Sequence, residues 1–294
     1  IKSKGWGADH TKRTKALIKN DILPKLGDLN VADITSLEVL AVIRSIESRG
    51  SLDMADQALG IMDRIFIYAN ITGRTQSNPA YGLRPYLQPR TKAVQHHRHI
   101  DKDQLPELLS AIDGYGGRIE TIIATKLTLL TFVRSSELRY GRWEQINWDK
   151  KEWHIPSQQM KGKLIDKSSG ISHVVPLSTE SIALLKSLYT HTGRGELMFP
   201  STKGEGKVMS DGTINGLLQS IGFHTEQTTH GFRGLASTLL NETGLFNEDA
   251  IERQLSHKDR NKIRRAYNHA EYLEERHKLM QWWGSFLKRN GLTH

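Results

Sequence analysis

Along residues 1–89 apolar side chains recur every three to four positions, in runs separated by polar breaks. The stretch TKRTKALIKNDILPKLG (11–27) has helical spacing and closes on Pro24 and Gly27. DITSLEVLAVIRSIESRG (33–50) opens on a Thr-x-x-Glu capping signal and ends at Gly50. SLDMADQALGIMDRIFIYANITG (51–73) repeats the helical period to Gly73. This pattern predicts a small all-helical domain over 1–89.

Pro79, Pro85 and Pro89 then interrupt the periodicity, and RTKAVQHHRHIDKDQ (90–104) is polar and basic. Residues 90–102 read as an interdomain linker crossing something negative. His96, His97 and His99 match no zinc-ligand spacing and have no carboxylate or thiolate partners nearby, so no metal is expected.

A second domain, 103–294, opens with a capped helix over 103–113 and an apolar, buried helix in RIETIIATKLTLLTF (118–132). Short strand signals follow in WEQINWD, EWHIPS and HVVPLS, with the loop MKGKLIDKSSG between the last two. Helical patterns return around STESIALLKSLYTHTG, SDGTINGLLQSIG, HGFRGLASTLLNETG and NEDAIERQLSHK, and run to the C-terminal segment. The fold class is mainly α with a small antiparallel β-sheet. In the C-terminal segment Met280, Trp282, Trp283 and Phe286 recur at helical spacing. They read as a core stripe, with docking onto a neighbouring protomer as the alternative.

Composition narrows the chemistry. Forty-one Lys and Arg against 32 Asp and Glu leave a net charge of +9, which favours a polyanionic partner. The first 25 residues carry Lys2, Lys4, Lys12, Arg13, Lys15, Lys19 and Lys25 against only Asp9 and Asp21. The absence of cysteine excludes disulfides, thiolate zinc sites and cysteine nucleophiles, and fits a reducing compartment. No apolar run approaches the roughly 18 residues of a membrane span, and no signal peptide is evident. The first residue is Ile, not Met, which points to a segment missing upstream.

Candidate chemistry is scattered along the second domain. THGFR (229–233) places His230 and Arg233 one turn apart at a helix start, where unpaired backbone N–H groups favour an anion, best matched by phosphate. The plainer alternative is a surface helix with a capping Thr. Arg134 follows an apolar helix in FVRSSEL (132–138), where it serves either an anionic partner or a structural pair with Glu137. Lys161, Lys163 and Lys167 lie in the loop between two strands, as a groove contact, a proton donor or a solvated turn. His257 in LSHK sits at a helix end, where a cap is the usual role. Tyr267 follows ten residues later in a basic stretch, where a boundary role is common.

Taken in order, FVRSSEL, the MKGK hairpin, THGFR, LSHK and AYNHAEYLEER…MQWWGSFL resemble the tyrosine site-specific recombinases, in particular the integrases of genomic islands and satellite phages. The resemblance covers nearly the whole chain. It implies a helical core-type DNA-binding domain followed by a tyrosine recombinase catalytic domain, with the family's upstream arm-binding domain absent. It also implies that Tyr267 attacks a DNA phosphodiester to form a 3′-phosphotyrosine. Tyr272 is the competing nucleophile.

By the same resemblance Arg134 and Arg233 neutralise the phosphate, His230 and His257 complete its cage, and Glu137 steers Arg134. Lys161 protonates the leaving 5′-oxygen, with Lys163 as fallback. No cofactor is implied, neither metal nor ATP. Lys12, Arg13, Lys15, Arg90, Lys92, Arg98 and Lys163 are the expected DNA contacts. The implied partners are double-stranded attachment sites, a homotetramer in the synaptic complex formed from free monomers, and host or element-encoded DNA-bending and directionality factors. The implied place of action is the cytoplasm of a bacterium, at the nucleoid. Two alternatives share part of this set: type IB topoisomerase-like relaxation, and a catalytically inactive DNA-binding regulator.

Overall fold

A computed structural model describes residues 8–89, 98–160, 172–204, 206–257 and 271–294. The chain divides into two compact units, Ile1–Val94 and Gln95–His294.

In the first unit α1 (Ala8–Leu17) passes through a π-turn (Ile18–Ile22) into α2 (Leu23–Leu26), followed by α3 (Ser36–Glu47) and α4 (Leu52–Ile71). The capping signal at the start of α3 forms as a reciprocal pair. The Thr35 hydroxyl accepts from the Glu38 N–H at 3.4 Å, and the Glu38 carboxylate accepts from the Thr35 N–H at 2.7 Å. Beyond α3 and α4 the chain turns left-handed at Gly50 and Gly73, each with φ +71°, which glycine adopts without a Cβ penalty. Leu17, Val42, Ile43, Leu59, Met62 and Phe66 form the centre of this bundle. On α1 the buried Thr14 and Leu17 leave Lys12, Arg13 and Lys15 exposed.

In the second unit a turn at Lys102–Gln104 leads into α5 (Leu105–Asp113), α6 (Ile119–Thr131) and α7 (Ser135–Arg139). A three-stranded antiparallel sheet follows: β1 (Ile146–Asn147), β2 (Glu152–Ile155) and β3 (His173–Pro176), in that order. Trp153 pairs with Ile146 on one side and Val175 on the other. Then come α8 (Thr179–Thr192), α9 (Thr213–Ser220), α10 (Gly231–Thr243), α11 (Glu248–Gln254) and α12 (Leu273–Arg289).

Helix α6 runs through the core with its residues from Ile123 to Thr131 all buried. Lys126 reaches out of the helix to Asp113 and Thr293, whereas three buried threonines are satisfied within it. The hydroxyls of Thr125, Thr128 and Thr131 donate to the carbonyls of Thr121, Ala124 and Leu127. Against α6 packs α12, whose Trp283 indole donates to the Leu129 carbonyl at 2.9 Å and meets the Phe132 ring edge-on at 5.4 Å. Met280, Trp283 and Phe286 thus belong to the core, while the half-buried Trp282 stacks on Phe286 at 5.3 Å.

One expectation shifts. The basic run 90–102 reads as a linker, yet from Arg98 onward the chain packs within the second unit. Ile100 is buried, its N–H donates to the Gln227 side chain at 3.1 Å, and the Arg98 carbonyl accepts from the Thr228 N–H at 3.2 Å. One apolar anchor in a polar run sets this boundary, and composition averaged over a window hides it.

Candidate active site

The centre of the candidate site is the turn Leu255–Ser256–His257. Helix α11 ends there in a Schellman arrangement. The His257 N–H reaches back to the Glu252 carbonyl, the Ser256 N–H reaches the Arg253 carbonyl, and Ser256 is left-handed with φ +51°. A non-glycine residue in that conformation costs about 1 kcal/mol. The turn leaves the carbonyls of Leu255 and Ser256 as acceptors at the negative end of the helix dipole.

Both arginines of the sequence pattern meet those carbonyls. Arg134 Nη2 donates to the Ser256 carbonyl at 2.9 Å, and Arg233 Nη2 donates to the Leu255 carbonyl. Arg233 Nη1 donates to the carbonyl of Phe132, which ends α6 in a left-handed conformation with φ 59°. Two helix C-termini therefore share one guanidinium. Such capping is how a cation survives in a core, since isolated burial of a charge is strongly unfavourable. Burial, reinforced by the Arg134 charge, pushes Arg233 down to about 10, while Glu137 and Glu252 act in the opposite sense; it stays a cation at neutral pH.

Arg233 is only 4% exposed, and its Nε–H has no hydrogen-bond partner among the described residues. That unmet donor costs about 1–3 kcal/mol. Arg134 is less enclosed, with its side chain 18% exposed. Its Nη1 pairs with Glu137 Oε1 at 2.7 Å, and Glu137 Oε2 accepts from the Arg134 N–H at 2.8 Å. The structural pair with Glu137 and a position facing an anion are therefore compatible: each terminal nitrogen of the fork has one anchoring acceptor, and the side chain stays partly exposed.

His257 lies between Arg233 and Glu252. Its Nε2 is 3.1 Å from Arg233 Nη2 and its Nδ1 is 2.8 Å from Glu252 Oε2. A guanidinium only donates, so Nε2 accepts and the proton sits on Nδ1, directed at the carboxylate. In this geometry His257 supports Arg233 and presents no ring donor of its own to an anion.

His230 occupies the N-cap position of α10, exposed and one turn before Arg233, without a capping bond from its side chain. The α10 start is not the surface helix of the plainer alternative, since Gly231, Phe232 and Arg233 are buried. Thr228 Oγ1 accepts from the Gly231 N–H at 2.9 Å. Gly231 has no room for a side chain, because a Cβ there would lie 2.0 Å from the Arg98 carbonyl oxygen. A Cβ on Gly234 would lie 3.0 Å from the His99 ring. The two glycines beside His230 and Arg233 thus admit the end of the interdomain segment.

The structure brings together Arg134, Glu137, Arg233 and His257, with His230 on the adjoining helix turn. Lys161, Lys163, Lys167 and Tyr267 lie outside the described residues, as do Arg90 and Lys92. Among the other expected DNA contacts, Lys12, Arg13 and Lys15 are exposed; Arg98 is also exposed and donates from Nη1 to the Thr225 carbonyl at 3.1 Å. Tyr272, the competing nucleophile, has its hydroxyl 3.2 Å from Asp249 Oδ2, to which it donates.

Known proteins share this organisation. The model for the phage integrase central domain matches residues 1–86, and that for the phage integrase family matches residues 98–274. The integrase of Enterobacteria phage P4 is 38% identical over 98% of this chain and 67% of its own length. The integrase of Shigella phage Sf6 is 33% identical over 97% of this chain and 72% of its own. The chain belongs to the phage integrase family.

Its fold is that of the tyrosine recombinases. A lambda integrase dimer bound to a COC′ core site matches with TM-score 0.65 and 17% identity over 87% of this chain and 90% of that one. The Tn1549 transposon integrase in complex with circular intermediate DNA matches with TM-score 0.63 and 14% identity over 93% and 94%. With the family match and the curated integrases above, the chain is a tyrosine recombinase of the integrase type. None of its described helices is long and apolar enough to cross a membrane.

Three residues near the site were not singled out from sequence: Gln254, Arg276 and His173. Arg276 sits in a run, EERHK, that looks solvated, yet it is fully buried. The available signal was its helical register, since residues 276, 280, 283 and 287 share one α12 stripe and the other three are Met, Trp and Leu.

Proposed function

We propose that this integrase cleaves and rejoins DNA through Tyr267, with Arg134 and Arg233 holding the scissile phosphate. The observation that carries this reading is the buried Arg233 Nε–H without a partner, on a guanidinium hydrogen-bonded to His257 beside the Ser256 carbonyl that holds Arg134. A non-bridging phosphate oxygen satisfies that donor, and the second guanidinium shares the charge.

A tyrosine phenol has an unperturbed pKa near 10 and is a weak nucleophile at neutral pH. It becomes effective when the phosphodiester is pre-positioned and its charge neutralised. Attack forms the Tyr267–phosphate bond and breaks the bond to the 5′-oxygen, which takes a proton from Lys161 or, failing it, Lys163. His230 relays the phenolic proton. His257 holds the Arg233 fork against α11, and Glu137 holds that of Arg134. The phosphotyrosine conserves the bond energy, and the cationic side chains supply the charge, so neither ATP nor metal is required.

The partner is duplex DNA, contacted by Lys12, Arg13, Lys15, Arg90, Lys92, Arg98 and Lys163. Among the structural neighbours is a lambda integrase tetramer bound to a Holliday junction. By likeness this chain assembles as a tetramer on two attachment sites, with DNA-bending and directionality factors in attendance, in the bacterial cytoplasm at the nucleoid. Integration or excision of a mobile element is the outcome.

A pool of nicked suicide duplexes with a randomised centre tests this without knowledge of the target. The protein should become covalently attached to a defined subset, in EDTA as well as without it. Mass spectrometry of the DNA-linked peptide should place the link on Tyr267, and Tyr267→Phe should abolish the adduct but not DNA binding. An adduct that survives Tyr267→Phe and vanishes in Tyr272→Phe overturns the nucleophile; a strict metal requirement overturns the metal-free step.

A further inference from the structure

We infer that Gln254 is a positioning residue for the two-arginine site and that Arg276 acts through it, an inference that rests on the phosphate-holding role proposed above. The carbonyls that grip the arginines come from two helix ends distant in sequence: Phe132 at the end of α6, and Leu255 and Ser256 at the end of α11. The spacing of those ends sets the spacing of the guanidiniums. Gln254 bridges them. It immediately precedes Leu255 and is 2% exposed, and its Nε2 donates to the carbonyl of Thr131, the residue before Phe132, at 3.2 Å.

An amide can flip, and a flipped Gln254 would set its oxygen against the Thr131 carbonyl. Arg276 prevents this. Its Nε and Nη2 donate to Gln254 Oε1 at 3.0 and 2.9 Å, and a guanidinium offers no acceptor, so the amide nitrogen must face Thr131. Arg276 is itself immobilised. It is fully buried, Nη2 also donates to the Val174 carbonyl of β3, and Nη1 donates to the Glu271 carbonyl at 3.3 Å. The chain of contacts therefore runs from β3 and α12, through Arg276 and Gln254, to the two turns that hold Arg134 and Arg233. Misplacing a catalytic group by about 1 Å costs about 10²-fold in rate.

Gln254→Glu is the discriminating variant. It keeps the size of the side chain and both bonds from Arg276, and it replaces the N–H facing Thr131 with an oxygen. On the duplex recovered by the suicide-substrate selection, the single-turnover rate of adduct formation should fall about 10–10²-fold. DNA affinity should stay close to wild type, and the melting temperature should fall by only a few degrees, about what loss of the one Thr131 bond explains. A duplex with a neutral methylphosphonate at the cleaved position makes less demand on the arginines, so there the wild-type-to-variant ratio should collapse towards one. Arg276→Lys, which keeps the charge and loses the fork, should show the same substrate dependence.

The Arg233 Nε–H resonance gives a readout independent of turnover, and it should shift in Gln254→Glu. Unchanged rate and resonance in Gln254→Glu overturn the inference, as does an equal rate loss on both substrates in step with melting temperature. A wild-type chain that forms no adduct sinks the recombinase mechanism itself, and the resonance then still decides whether Gln254 sets the position of Arg233.

Discussion

Among the described residues are two buried arginines with opposite conditions. Arg276 and Arg233 are 0% and 4% exposed, and burial pushes both guanidiniums down to about 10. Each donates to backbone carbonyls and to one side chain. At Arg276 Nε, Nη1 and Nη2 all have partners: Gln254, Glu271 and Val174. At Arg233 the Nε–H has none among the described residues. Equal burial thus conceals different purposes. A satisfied arginine locks elements together, whereas an unsatisfied one is a cost the fold bears until an acceptor arrives.

The largest effect that separates the two is on chemistry. Arg233→Lys keeps a cation and loses the planar fork, and the rate of adduct formation should fall about 10²–10³-fold. Single-turnover assays check it, and a loss no larger than that of Arg276→Lys would erase the distinction between the two arginines. Next in size is an effect on stability. Arg276→Leu strands the Val174 and Glu271 carbonyls and the Gln254 amide oxygen, at about 3 kcal/mol. Denaturant titration should show Arg276→Leu below Arg233→Leu, and the reverse order would break the contrast.

Gly231→Ala probes the surroundings of Arg233. Its Cβ would strike the Arg98 carbonyl, so the 98–100 segment must shift, at about 1–3 kcal/mol. The melting temperature should drop, and adduct formation should slow more than the fall in stability explains. Smallest is a pH effect on the Arg276 side. Burial, with the Arg276, Arg134 and Arg253 charges, pushes His173 down to about 3, while its bond to the Gln254 backbone pulls the other way. The folded state therefore favours neutral imidazole. Its contribution is complete above about pH 6.5 and is lost as pH falls towards 3, on the order of 1–2 kcal/mol by pH 5. His173→Gln should flatten acid unfolding over that window; an unchanged profile would show that His173 is not held neutral there.

Much of the fold was legible because its causes are local. The Thr35–Glu38 box, the glycines at 50 and 73 and the three short strands each follow from residues within a few positions of one another. The candidate site was legible in its residue types. Arg134, His230, Arg233 and His257 stand out by their order and by their places at helix ends. Their partners were not legible, because Arg134 meets a carbonyl 122 residues away and Arg233 one 101 residues away. Any residue has a carbonyl, so no side-chain identity marks the acceptor. The two glycines of α10 announced a close approach without naming the Arg98 segment as what approaches.

The amino-acid order by itself determined the helices, their caps, the sheet and the supply of cationic side chains. These depend on propensity and on hydrogen bonds between near neighbours. Tertiary structure alone decided which arginine is saturated and which is left with an open donor. That outcome depends on where helix ends fall relative to one another, and long-range packing sets those positions.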